Sequence, residues 1–313
     1  MNGAWKVFII VCVFIAVVWG LAAAFVGDPR DTSPHWLATP DGMPRVIAHQ
    51  GGNQERPAQT NTAFAHAHEI GVDIFELDVV LTADDELAVI HDLTVDRTTN
   101  GSGAVSEMTY AEIRALDAGF GLENEQGQPL RDPARNRFIG AGAYVPSLRE
   151  LFETYPDTPM LIEIKDDDER GDRAAAVLWN LVQEFNREDL VVVASFNRRP
   201  LATFRDISGG RVTMSGSMDE VVRFYVPHLL ALHALNRGTP FQVFNLPTSF
   251  DVGPISLNLT SQRLRRDIAR RGMALHYWTI NRDEDMQTLI ELGVDGIITD
   301  RPTRLRELIE TSR

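Results

Sequence analysis

The chain has one cysteine in 313 residues, and that residue, Cys12, lies inside an N-terminal apolar run. Everything beyond it lacks a disulfide and a thiol nucleophile, which excludes a disulfide-stapled scaffold and cysteine-based catalysis and fits either redox compartment. Positive charge is short as well. Thirty Lys and Arg stand against 44 Asp and Glu, for a net charge of −14. Such a balance argues against nucleic acid as a partner, because its phosphates select basic surfaces. It leaves room for a compact phosphate held locally by a metal and one or two cations. No internal repeat or low-complexity tract is present.

What is there suits a large core: 44% of the residues are hydrophobic and 24% charged. The length fits one barrel-type domain of about 250 residues with a short leader. Past a tail of residues 1–6, Val7 to Val26 is a run of 20 residues without a charge, preceded by Lys6 and followed by Asp28, Arg30 and Asp31. At about 1.5 Å per residue it spans a bilayer core of about 30 Å, so it reads as a transmembrane helix. A cleaved signal peptide is the alternative, with Ala22–Ala24 as a small-residue cleavage site. Lys6 and the free amine, set against Arg30, favour a membrane-anchored chain with its main domain outside the cytoplasm, on the periplasmic or cell-surface side. Residues 27–44 hold four prolines (Pro29, Pro34, Pro40, Pro44) and read as an extended linker.

From residue 45 to 313 apolar runs alternate with helical patterns. The expected strands are 45–49, 73–81, 87–92, 159–165, 190–196, 211–214, 241–245, 274–280 and 296–299. The expected helices include 62–70, closed by Gly71, then 172–186, 219–236, 261–271 and 283–292. Strands apolar along their length and separated by helices predict a parallel sheet covered on both faces. About eight of them over about 260 residues suit an α/β, (β/α)8 TIM barrel better than an open sheet. The irregular stretch of about 117–144 reads as an insertion over one end of the barrel, shaping access.

Polar groups gather near the strand C-terminal ends, the face where barrel active sites sit. They are His49, Glu76, Asp78, His91, Glu163, Lys165 and Asn281. Imidazole and carboxylate groups are costly to bury unless paired or metal-bound. Glu76 and Asp78 are two apart on a strand and share a face. With Glu163 they would make an oxygen shell for a hard divalent cation, Mg²⁺ or Ca²⁺, with Mn²⁺ possible. His49 and His91 could serve as proton donor and acceptor, and Lys165 as a cation for the same phosphate. A lone strand-end His is usually structural, and an isolated Glu-x-Asp usually a solvated edge. The convergence of several such groups on one face sets these apart. His66 and His68 read as surface residues, His228, His233 and His276 as lacking partners, and Asp166–Asp168 as a solvated turn.

The motifs from Arg45 to about Pro302 resemble those of the glycerophosphodiester phosphodiesterase family, in order. They include His49-x-Gly51, Asn61-Thr62-x-x-Ala65, Gly71-x-Asp73-x-x-Glu76-x-Asp78 and Val89-Ile90-His91-Asp92. Further along come Arg97-Thr98-Thr99-x-Gly101, Ile162-Glu-Ile-Lys165, Trp278-Thr-Ile-Asn281 and Gly293-Val-Asp-Gly-Ile-Ile-Thr-Asp-Arg-Pro302. The resemblance implies a barrel of the PLC-like phosphodiesterase superfamily that cleaves glycerophosphodiesters to glycerol 3-phosphate and an alcohol with a divalent cation. By position it makes His49 and His91 the acid/base pair and Glu76, Asp78 and Glu163 the metal ligands. Gln50, Asn61, Lys165 and Trp278 would contact phosphate or substrate. Two departures stand out: Gln50 replaces the family's Arg, and Thr60 its Glu. They leave Arg56 or Lys165 to supply the missing charge. The alternatives are a lysophospholipase D acting on lysophospholipid, and a catalytically weak barrel that binds a phosphorylated ligand.

Overall fold

A computed structural model describes residues 36–37, 42–229, 239–252 and 255–312. The expected anchor, most of the linker, His233 and the end of the helix expected to reach residue 236 lie outside the described residues. Eight parallel strands form a ring: β1 (Arg45–Ala48), β2 (Ile74–Leu81), β4 (Met160–Ile164), β5 (Val191–Ala194), β6 (Thr213–Met214), β7 (Val243–Leu246), β10 (Ala274–Tyr277) and β11 (Gly296–Thr299). They pair in the order β6-β5-β4-β2-β1-β11-β10-β7, and a parallel bridge between Ser215 and Val243 joins the two ends. The ring is a TIM barrel, as expected.

Helices cover the outside. They are α1 (Asn61–Glu69), α2 (Tyr110–Arg114), α3 (Leu148–Thr154), α4 (Asp168–Glu184), α5 (Arg198–Ser208), α6 (Met218–Leu229), α7 (Gln262–Ala269), α8 (Asp283–Leu292) and α9 (Pro302–Ser312). Their starts follow local chemistry. Thr60 and Ser261 cap α1 and α7 by accepting the backbone N–H of Ala63 and Leu264, at 3.2 and 3.1 Å. In α4 the buried residues Ala174, Ala175, Leu178, Leu181 and Val182 recur at helical spacing and form its inner stripe. Among the described residues no helix is long and apolar enough to cross a membrane.

Several elements depart from the sequence reading. The run 87–92 is not a barrel strand: β3 (Leu87–Val89) pairs antiparallel with β2, Val79 opposite Val89, outside the ring. A run this short carries no signal of its pairing direction. The hairpin β8 (Ser249–Val252) with β9 (Ile255–Asn258) was not expected, since its alternation is brief. Helices α2, α3, α5 and α9 were also missed; α2 and α3 are short, and α5 has few apolar positions. Asp166 is buried and accepts the Leu81 backbone N–H at 2.7 Å, so it is no solvated turn.

The ring interior starts with an apolar floor. Ile47, Ile74, Leu161, Val192, Val243, Ala274 and Ile298 cluster there with Trp36 and Leu37. The alternate strand residues, such as Val46, Phe75 and Ile162, pack outward against the helices. That alternation decides which side chains stand inside the barrel.

Candidate active site

Two residues beyond four of the floor positions come the chemical groups. His49 follows Ile47, Glu76 follows Ile74, Glu163 follows Leu161, and Asp300 follows Ile298. A further step of two brings Asp78 and Lys165. Glu76, Asp78 and Glu163 each offer a carboxylate oxygen within 4.8 Å of the others. Lys165 Nζ lies 3.3 Å from Asp78 Oδ1 and 3.1 Å from Glu163 Oε1.

One ammonium does not balance three carboxylates. Burial, then repulsion from Asp78, pushes Glu76 up to about 8, against the pull of His49 and a backbone N–H from Gln50. Burial and Asp78 push Glu163 upward too, against Lys165. An all-oxygen donor set with surplus negative charge is what a hard divalent cation requires, so these residues fit one.

This charge imbalance makes stability depend on pH. Without a cation, folded Glu76 keeps its proton up to about 8, whereas an unfolded glutamate releases it near 4.5. The folded state therefore holds the extra proton between these values, and stability falls as pH rises through that window. His49, raised from 6.5 to about 10, contributes stability below 6.5 that is lost as pH climbs through 10, in the same direction. A divalent cation binds the deprotonated carboxylates, so its stabilisation grows with pH. At a hundredfold excess over its Kd the expected rise in Tm is on the order of 5 °C at pH 8, and far smaller at pH 5. Calorimetric scans at the two values check this; equal shifts would contradict it.

The two histidines differ in surroundings. His49 Nδ1 is 2.5 Å from Asp300 Oδ1, and Asp300 Oδ2 accepts from Asn281 Nδ2 at 2.5 Å. Burial opposes the charged ring, but Glu76, Asp300 and Asp78 together outweigh it and push its pKa up to about 10. His91 arrives from outside the ring, placed by the Ile90 N–H bond to the Asp78 carbonyl at 3.0 Å. Its Nδ1 is 2.8 Å from Asp92 Oδ1, and its Nε2 is 3.1 Å from Lys165 Nζ. An ammonium only donates, so Nε2 accepts and Nδ1 carries the proton toward Asp92. The His91 bond, with two more from Arg97 at 2.7 and 3.0 Å, holds the Asp92 carboxyl well below the usual range.

Gln50 occupies the buried turn after β1 at φ 52° and donates its backbone N–H to Glu76 Oε2 at 2.9 Å. Its side-chain Nε2 and that of Gln59 both donate to Asp78 Oδ2, at 3.3 and 2.5 Å. The turn closes on α1 so tightly that a Cβ on Gly51, at φ 79°, would stand 2.7 Å from Ala63 Cβ. Trp278 stands edge-on to Phe196, ring centroids 5.7 Å apart.

A cavity of about 320 Å³ joins these groups: His49, Gln50, Glu76, Asp78, His91, Glu163, Lys165 and Trp278 all line it. Asn61 does not; its Oδ1 accepts the Tyr144 N–H at 3.0 Å and ties down the neighbouring loop. Arg56 does not line it either, but lies 5.6 Å over Phe138. Among the described residues, Lys165 is thus the one Lys or Arg that lines the cavity. No residue of the 117–144 insertion reaches this wall. The expected surface residue His66 pairs with Glu55 at 2.9 Å. His228 and His276 do have partners, Asp267 at 2.6 Å and Asn245 at 3.1 Å; neither histidine lines the cavity, though Asn245 does.

Sequence reasoning missed Asp300 and Gln59. The signal for Asp300 was present: it ends an apolar strand with the spacing that places Glu76. Gln59 lies in a loop and carries no such pattern.

The glycerophosphoryl diester phosphodiesterase family model matches residues 49–304. The chain belongs to this family. It is 36% identical over 268 residues to a glycerophosphodiester phosphodiesterase of Caldanaerobacter subterraneus subsp. tengcongensis, covering 84% of this chain and 97% of that one. It is 25% identical over 295 residues to a lysophospholipase D of Homo sapiens, covering 85% and 86%. The crystal structure of a glycerophosphoryl diester phosphodiesterase from Silicibacter pomeroyi superposes with a TM-score of 0.69 at 25% identity, covering 89% and 97%. Beside β1 the Gln50 and Gln59 side chains meet Asp78 with neutral amides, and positive charge comes from Lys165 and the protonated His49.

Proposed function

We propose that this phosphodiesterase hydrolyses glycerophosphodiesters to glycerol 3-phosphate and an alcohol, at a site where Glu76, Asp78 and Glu163 hold a divalent cation, Mg²⁺, Ca²⁺ or Mn²⁺. The observation that carries the reading is the three-carboxylate cluster flanked by two differently prepared histidines. When bound, the cation polarises a phosphoryl oxygen and offsets charge on phosphorus. Lys165 presents its ammonium to the same phosphate. With the Lys165 ammonium turned from His91 to the phosphate, the lone pair on His91 Nε2 takes the proton of the attacking water, while Asp92, itself held by Arg97, keeps the ring in that tautomer. His49, kept protonated among carboxylates, gives its proton to the departing alcohol oxygen. Gln50 and Trp278 bound the pocket on the substrate side; Asn61 acts at a distance by holding the loop at Tyr144.

Product analysis of glycerophosphocholine and glycerophosphoethanolamine digests tests this. Glycerol 3-phosphate with free choline or ethanolamine is expected; a cyclic phosphate or a phosphorylated head group would contradict it. Asp300 is a positioning residue for His49. Asp300→Asn is expected to lower kcat on the order of tenfold to a hundredfold, within the range of general acid catalysis. It should also move the basic limb of the pH–rate profile to lower pH, because a carboxylate that supports the imidazolium is gone. A uniform loss with no shift in the profile would mean a structural role only.

The run Val7–Val26 is read as the membrane anchor on sequence grounds, with the catalytic domain outside the cytoplasm. Resistance of the full chain to alkaline carbonate extraction from membranes is the expected result; release into the supernatant would favour a cleaved signal peptide.

A further inference from the structure

The charged groups of the site occupy one half of the ring, and the facing half is built differently. In the ring order β6-β5-β4-β2-β1-β11-β10-β7, closed by the Ser215–Val243 bridge, β6 and β7 each stand four places from β1 and β2 respectively, across the barrel. Asn245 on β7 follows the floor residue Val243 by two, as Glu76 follows Ile74, and Ser215 directly follows β6. Both line the cavity, amid apolar neighbours such as Val221, Phe244 and Leu259.

A chain of directed hydrogen bonds holds this pair. His276, on β10, is fully buried and does not line the cavity. A Cβ on Gly296 of the neighbouring β11 would stand 2.7 Å from its Cδ2, so the glycine makes room for the ring. Burial pushes the pKa of His276 down to about 3, which keeps the ring neutral. Its Nδ1 is 3.1 Å from Asn245 Oδ1, an atom that only accepts, so Nδ1 carries the proton. Nε2 is then a bare acceptor, buried and without a partner among the described residues. A leucine would avoid that cost. What the histidine adds is the orientation of the Asn245 amide. With Oδ1 turned to His276, Asn245 Nδ2 donates to Ser215 Oγ at 3.1 Å. The Ser215 hydroxyl proton and the second Nδ2 proton of Asn245 have no acceptor among the described residues. Ser195, also on the wall, gives its hydroxyl proton to the Ile164 carbonyl at 2.7 Å instead.

We propose that His276 is a positioning residue that holds Asn245 and Ser215 as a donor pair for the hydroxyl oxygens of the substrate's glycerol arm, across the cavity from the carboxylates. The proposal rests on the hydrolytic reading above and deepens it by assigning the groups that select the arm. Two protons without acceptors select an oxygen and are no partner for a cationic head group. The hydroxyls are the oxygens that every glycerophosphodiester carries beyond its phosphate, and the apolar neighbours suit the carbons between them. A diester without these hydroxyls leaves the two donors unmade in a buried wall, which is how such a site rejects it.

The test compares glycerophosphocholine with propylphosphocholine, the same diester without the two hydroxyls, as substrates of the full chain. The intact protein is expected to prefer glycerophosphocholine by about tenfold to a hundredfold in kcat/KM, the effect of two neutral hydrogen bonds. His276→Leu should bring this ratio towards one, and so should Ser215→Ala. His276→Asn, whose amide nitrogen stands where Nδ1 stood, should restore much of the ratio. A ratio that survives His276→Leu, or that His276→Asn fails to restore, overturns the positioning role. A uniform loss on both diesters means a structural role only and overturns it too. Nitrogen NMR of the unsubstituted chain reads the tautomer directly: a protonated Nδ1 and a bare Nε2 are expected at neutral pH, and a protonated Nε2 overturns the proposal. Equilibrium binding of glycerol 3-phosphate and propyl phosphate separates the pair from the hydrolytic reading. Tighter binding of glycerol 3-phosphate, brought by Ser215→Ala to the level of propyl phosphate, supports the pair even where no diester is hydrolysed; equal affinity overturns it.

Discussion

Glu76→Gln is expected to abolish hydrolysis, lowering kcat/KM by at least about a thousandfold, while raising the Tm of the cation-free protein. The two effects have one cause. Glu76 is buried beside Asp78 and Glu163, and burial followed by carboxylate repulsion opposes its charge. A neutral amide of nearly the same shape removes that cost and can still accept the Gln50 N–H that now bonds Oε2 at 2.9 Å. It also removes one of three anionic donors from the cation. Metal-derived stabilisation of transition-state charge amounts to several kcal/mol, which is about three orders of magnitude in rate. The diagnostic third readout is the cation-induced rise in Tm, which should vanish in this variant. Retained activity, or a cation-free Tm that falls, would contradict this account of the cluster.

His49→Ala and His91→Ala are each expected to lower kcat by about a hundredfold to ten-thousandfold, the contribution of general acid–base catalysis. The double variant should lose much less than the product of the two, because the residues act in one proton circuit. His91→Ala separates proton transfer from metal binding. His91 touches Lys165 and Asp92 but none of the three carboxylates within hydrogen-bond range, so the cation-induced Tm rise should survive. Loss of that rise would mean that His91 helps to build the cation site. Full activity in either variant would remove the acid–base assignment.

The barrel was legible because its strands are apolar along their length and the floor residues Ile47, Ile74, Leu161 and Ile298 repeat the same spacing to a polar group. Period-two alternation carries that information along each strand without any knowledge of the fold. For the same reason Glu76, Asp78, Glu163 and Lys165 could be placed together from sequence. His91 was assigned to the right cluster through the wrong element, since β3 pairs antiparallel outside the ring and a three-residue strand does not reveal its pairing. Asn61 was given a substrate role that its bond to Tyr144 does not support. The insertion at 117–144 was expected to shape access, yet none of its residues lines the cavity, whereas α6 and the β8–β9 hairpin do. Those surfaces come from segments whose apolar residues look like ordinary core, and only three-dimensional placement shows that they face a cavity.

The central claim is that a cation held by Glu76, Asp78 and Glu163 is required for the chemistry. Its most direct test is turnover of glycerophosphoethanolamine by chelator-stripped full chain, measured before and after adding back Mg²⁺, Ca²⁺ or Mn²⁺. The account predicts no turnover in the stripped protein and recovery with at least one ion, saturating at one site per chain. Undiminished turnover after stripping would contradict it.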